Sequence, residues 1–303
     1  MHIYSHKACL AHDTGPGHPE RPERLSVVSD ALHAGLPELD WCHAPRASRG
    51  QLLRAHTPAL LEQVLGTQPA ERTLLDPDTV LSPHSAEAAL RAAGAVVAAV
   101  DAVLGGRTTR AFCAVRPPGH HATANIAMGF CLFNNIAVGA LHALDAHGLE
   151  RVAIVDFDVH HGNGTQAIFE HDRRVLFASS HQVPLYPGTG TADEIGDGNI
   201  VNAPLPADAG SAEFRAAWSQ RLLPAVDAFK PQLLMISAGF DGHRLDPLAQ
   251  LQLETADFAW LSAELVALAE RCCGGRIVST LEGGYDLTAL AESSVAHVRA
   301  LLA

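Results

Sequence analysis

The chain is poor in aromatic rings, in positive charge and in long apolar runs. Aromatic residues make up 5% of its 303 residues, while hydrophobic residues make up 48%. Ala, Val and Leu must therefore fill most of the core. Lys and Arg total 21 against 33 Asp and Glu, giving a formal net charge of −12. That balance excludes the basic footprint of sequence-independent nucleic-acid binding. It favours solubility and, through the overall field, cationic substrates. The apolar run Ala95 to Val100 is far too short to span a bilayer, so no membrane partner is expected. Met1-His2-Ile3-Tyr4 leads into no apolar signal core. The six cysteines form no C-x-x-C pair. They read as free thiols in a reducing compartment, which predicts a cytoplasmic protein. No linker, repeat or low-complexity tract divides the chain, so residues 1–303 are expected to form one domain. Composition leaves a homo-oligomer open.

What is present is an alternation of strands and helices. Residues 111–115, 152–157, 174–179, 232–238 and 276–281 read as short strands buried on both faces. Leu90, Ala93, Val97, Val100 and Leu104 recur at helical spacing, as do Phe258, Leu261, Leu265 and Leu268. Asp286 is the expected N-cap of a last helix. This order predicts an α/β fold, an open, mostly parallel sheet flanked by helices on both faces. The stretch His181–Gly210, rich in Pro and Gly, reads as a long irregular segment walling a site.

Four of the expected strands run into residues with catalytic chemistry. After 152–157 comes Asp158-Val159-His160-His161-Gly162-Asn163. Residues two apart in an extended segment face the same way, so Asp158 and His160 can meet one ion. An oxygen and an imidazole nitrogen suit Zn²⁺, with Fe²⁺ as a competitor. After 232–238, Asp241, His243 and Asp246 are all candidates for a third ligand. After 111–115, Arg116-Pro117-Pro118-Gly119 fixes a loop ahead of the tandem His120 and His121, a pair suited to proton transfer near neutral pH. After 276–281, Glu282-Gly283-Gly284-Tyr285 lets backbone approach closely and offers a hydroxyl to a developing oxyanion. A parallel sheet brings such strand ends to one rim.

These segments resemble the zinc-dependent histone deacetylase superfamily, in its class II-like bacterial branch of amidohydrolases and acetylpolyamine amidohydrolases. The matching stretches are HDTGPGHPERPERL from His12 to Leu25, RPPGHH from Arg116, GFCLFNN from Gly129, DFDVHHGNGTQ from Asp156, YPGTG from Tyr186, the Asp246-Pro247 pair and LEGGYD from Leu281. The resemblance implies the arginase/deacetylase fold and a metal-activated water. It assigns the metal to Asp158, His160 and Asp246. It makes His121 the general base and acid, with His120 beside it oriented by Asp156, and Tyr285 the oxyanion donor. Asn163 stands near His121 where some members carry Asp. Gly129, Phe130, Tyr186 and Gly284 are implied to line the substrate tunnel, where members often carry Phe in place of Tyr186. His18 and Pro19 are implied to lie at its mouth, and Arg24 beside an acetate channel. Structural K⁺ is implied at Asp156, Asp158, His160, Ser179 and Ser180. A second K⁺ is implied at the backbone of Phe169, Asp172 and Val175.

The expected activity is hydrolysis of acetylated lysine or related N-acyl amines. Counting from Asp246 puts Leu253 at the mouth position where polyamine deacetylases tend to carry a carboxylate, although Glu254 is adjacent. An acetylpolyamine amidohydrolase is therefore the alternative, and an acetyl-binding module without turnover a further one. A two-manganese ureohydrolase is disfavoured because Gly162 offers no side chain to a second ion.

Overall fold

Eight parallel strands form one open sheet, and helices cover both of its faces. The computed structural model describes residues 1–67 and 69–303. The strands are β1 (His2–Ser5), β2 (Asp40–His43), β3 (Thr73–Asp76), β4 (Thr79–Leu81), β5 (Arg110–Cys113), β6 (Val152–Asp156), β7 (Val175–Gln182), β8 (Ile200–Leu205), β9 (Leu233–Ala238) and β10 (Ile277–Leu281). The sheet order is β2-β1-β5-β10-β9-β6-β7-β8, while β3 and β4 form a separate antiparallel hairpin. The helices are α1 (Glu23–Gly35), α2 (Arg49–Leu52), α3 (Pro58–Leu61), α4 (Ser85–Leu104), α5 (Asn135–His147), α6 (Asn163–Phe169), α7 (Ser211–Ala217), α8 (Leu223–Phe229), α9 (Thr255–Cys273) and α10 (Leu287–Leu302). The pair α4 and α5 packs on one face, and α1, α9 and α10 pack together on the other.

Every residue of β6, β9 and β10 is buried. That explains their unbroken apolar runs, since a strand sandwiched by helices has no wet face. The five expected strands are found within a few residues of their expected ends, and Asp286 caps α10 by accepting from the Ala289 amide at 2.8 Å. The stretch His181–Gly210 is not wholly irregular. β7 runs on to Gln182, and residues 200–205 form the edge strand β8. Pro204 is tolerated there because an edge strand has one side without a ladder partner.

Register then positions the site. Asp156 pairs with Ser237 of β9 and Ser179 of β7, and Leu281 of β10 pairs with Ala238 of β9. The carboxyl ends of β6, β9 and β10 therefore stop at one level, side by side, where open α/β sheets place ligands. Among the described residues no helix is long and apolar enough to cross a membrane.

Candidate metal centre and active site

Past Asp156 the chain curls tightly. Asp156 Oδ1 accepts from the Asp158 amide at 3.1 Å, and Asp158 Oδ1 from the His160 amide at 2.9 Å. These local bonds turn both ligand side chains inward. From β9, Asp241 reaches across and accepts from the Val159 amide at 2.9 Å. His160 Nδ1 lies 3.1 Å from Asp158 Oδ1 and 3.1 Å from Asp241 Oδ2. One ring nitrogen carries at most one proton, so two carboxylates converging on it form a set that a cation would complete. Three groups among the described residues have metal-ligand composition. Only Asp158, His160 and Asp241 are buried throughout; His2–Asp40–Cys42 and Asp101–His142–His147 include exposed residues. Two glycines make the room. A Cβ at Gly239 would meet Asp158, and one at Gly283 would meet both Asp241 and Asp158. Two carboxylates and one imidazole, enclosed and held by backbone amides, fit Zn²⁺.

Asp246 is not brought into this group. Its Oδ2 accepts from the amides of Tyr285 (2.7 Å) and Asp286 (3.4 Å), and its Oδ1 from Leu248 (3.0 Å). Three backbone donors bond to this one carboxylate, so it pins the 246–248 turn to the loop after β10. The mouth residue shifts with it. Leu253 is 1% exposed and lies against Gly242. The same count of seven from Asp241 instead reaches Leu248, which lines the pocket. Glu254 is engaged by Arg244 at 2.5 Å.

That pocket holds about 220 Å³. His121, His160 and Tyr285 form its floor, Gly129, Phe130, Leu185, Tyr186 and Leu248 its walls, and Asp78 joins them from the β3–β4 hairpin. Gly129 and Phe130 both have positive φ, 56° and 68°. A Cβ at Gly129 would strike the His121 ring, so the residue there must be glycine. His18 supports the wall from behind, its ring 4.8 Å from Phe130 and its Nε2 3.2 Å from the Asp78 carbonyl. Pro19 and Gly284 do not line the pocket. Gly284 instead uses its carbonyl to accept from Arg24 Nε at 2.6 Å. A larger cavity of about 310 Å³ at the β1–β2 edge contains none of these groups.

The two tandem histidines are driven apart in basicity. Burial opposes a charge on His120, but Asp158 and Asp156 outweigh it and push its pKa up to about 10. Its Nδ1 lies 3.0 Å from Asp156 Oδ2. Burial, reinforced by the charges on His120 and His160, drives His121 well below the usual histidine range. His121 Nδ1 donates to Asn163 Oδ1 at 2.8 Å, which leaves Nε2 as the free acceptor. Tyr285 stays protonated, because burial raises its pKa well above the usual value. Among the described residues its hydroxyl has no hydrogen-bond partner, so it is free to donate into the pocket. Around them, Glu282 is pushed up to about 7 by burial, partly offset by His120, and Asp156 up to about 6 by burial with the Asp158 charge.

Beneath the pocket lies a charged cluster of which the resemblance had named Arg24 alone. Glu20 accepts from Arg116 Nε at 2.5 Å and from Arg24 at 3.0 Å, with all three side chains wholly buried. Arg24 lies 4.8 Å from the Tyr285 ring centroid. Of the nearer expected K⁺ site, Asp156 and Ser179 are partners in register, but Ser179 Oγ pairs with His181 Nδ1 at 2.9 Å and Ser180 Oγ accepts from Trp218 Nε1 at 3.0 Å.

A family model described as the histone deacetylase domain matches residues 18–301. The chain is 41% identical to a probable deacetylase of Archaeoglobus fulgidus, over 94% of this chain and 81% of that one. It is also 41% identical to a histone deacetylase-like amidohydrolase of Pseudomonas aeruginosa, over 92% and 80%. It is 40% identical to the mouse polyamine deacetylase HDAC10, over 93% of this chain and 45% of that one. The crystal structure of the HDA15 HD domain superposes with a TM-score of 0.94 at 37% identity, over 99% of this chain and 87% of that one. The chain therefore belongs to the histone deacetylase family and is a hydrolase acting on amide bonds.

Proposed function

We propose that the chain is a single deacetylase domain over 1–303 that hydrolyses N-acetyl amines with a divalent metal held by Asp158, His160 and Asp241. The carrying observation is the convergence of Asp158 and Asp241 on His160, which reaches the floor of a narrow pocket beside a neutral His121 and a free Tyr285 hydroxyl. Zn²⁺ would supply polarisation of the amide carbonyl and a water acidified towards neutral pH. His121 Nε2 takes the water's proton and returns it to the departing amine. His120 remains charged against Asp156 and keeps its neighbour neutral. Tyr285 donates to the carbonyl oxygen as that atom gains charge.

Acetyl-lysine suits the apolar walls, Phe130, Leu185 and Leu248. A second reading, acetylated polyamines, is favoured by the Asp78 carboxylate on the pocket wall. Turnover of an acetyl-lysine peptide against acetylspermidine, with a hydroxamate control, ranks the two. Equal zinc content in Asp241→Ala and the unmodified protein would remove the ligand assignment. The expected result is loss of zinc in Asp241→Ala and its retention in Asp246→Ala.

A further inference from the structure

The turn from α6 into β7 points three backbone carbonyls, of Phe169, Asp172 and Val175, at one place. The family resemblance assigns these three to a second K⁺. In this chain a side chain already stands there. Asn199 Nδ2 lies 2.7 Å from the Phe169 carbonyl, 3.1 Å from Asp172 and 2.9 Å from Val175. Carbonyls only accept, so the amide must turn its amino group towards them. Its Oδ1, facing away, accepts from the Asp197 amide at 3.2 Å. The Asn199 carbonyl accepts from the Phe177 amide at 2.9 Å, and the residue is 4% exposed. The side chain is thus anchored at both ends and sealed from water.

A ring of carbonyls holds K⁺ by replacing its hydration shell, which requires a free centre. Here the centre is an amino nitrogen within hydrogen-bond reach of every oxygen. An ion touching the same three oxygens would occupy the same volume as Nδ2. The residues present therefore do not fit a second K⁺. We propose that the Asn199 amide takes the place of that cation, so the α6–β7 turn is closed by a tethered donor and not by an ion drawn from solution.

Rubidium-soaked crystals and thermal melts in KCl against choline chloride at equal ionic strength test it. The unmodified protein should show no rubidium at the three carbonyls. Asn199→Gly should melt about 2–4 °C lower in choline chloride, the scale of one lost buried hydrogen-bonding group. KCl should restore the loss, and rubidium should appear at the vacated centre. Rubidium bound there in the unmodified protein overturns the proposal. So does a destabilised Asn199→Gly that KCl does not rescue, because the triad is then no cation site. If Asn199→Gly does not fold, Asn199→Ser serves in the melts, and the rubidium result on the unmodified protein stands alone.

Discussion

Two buried clusters of charge sit on either side of Tyr285, and they are balanced in opposite ways. The Glu20–Arg24–Arg116 cluster is closed. Two guanidiniums meet one carboxylate and spend their remaining donors on the carbonyls of Cys9, His12, Glu282 and Gly284. Burial opposes ionisation of Glu20, yet Arg116 and Arg24 hold its pKa at about 2. The cluster at the strand ends is open. Asp156, Asp158, Asp241 and Glu282 outnumber the charged imidazoles of His120 and His160. Burial and the charge of Asp158 raise Asp241, and burial and the charge of Asp241 push Asp246 up to about 7. Carboxylates that resist ionisation side by side form a site short of positive charge, one a divalent ion would balance. One cluster is complete as folded, while the other is built to receive.

Breaking the closed cluster should have the largest effect. Glu20→Gln leaves two guanidiniums buried without a carboxylate and should cost about 3–5 kcal/mol of stability in urea unfolding. A loss under ~1 kcal/mol would mean water reaches the cluster. Tyr285, between the two regions, tests the chemistry. Tyr285→Phe should lower kcat roughly 10²–10³-fold with KM little changed; near-full turnover would exclude the oxyanion role. Adding charge to the open cluster sharpens the contrast. Asn163→Asp would give the His121 proton a carboxylate partner and raise the pKa of the base. Because the base must be neutral to act, the acid limb of the kcat/KM profile should move up by about 1–3 pH units. An unmoved limb would take His121 out of the base role. At the rim, Leu248→Glu should shift the ratio of acetylpolyamine to acetyl-lysine turnover by up to about fivefold, the scale of a partly exposed ion pair. An unchanged ratio would show that the distal ammonium does not pass Leu248.

Sequence reading reached the open cluster better than the closed one, for physical reasons. Asp158 and His160 follow an apolar run at a spacing of two, so local geometry alone makes them neighbours. The choice among Asp241, His243 and Asp246 was not local. It turns on which carboxylate the loop amides have already taken, and those amides come from residues 248, 285 and 286. The error in Leu253 followed from that one choice. Glu20 and Arg116 carry no local sign of burial and Arg24 was placed inside only by the resemblance, because the mutual burial of the three depends on α1 meeting the loop after β5. The central strands were legible as apolar runs. β1, β2 and β8 were not, since the first two begin and end on polar residues and the last carries a proline.

The proposed ligands Asp158 and Asp241 belong to loops after β6 and β9, strands that pair with each other although the whole of β7 and β8 intervenes in the chain. No fragment ending before β9 contains the site. An ion that binds only the joined strands adds RT ln(1 + [ion]/Kd) to the free energy of unfolding. The melting point of this enzyme should therefore climb with free zinc and fall with chelator, and metal supply would then set how much folded enzyme persists.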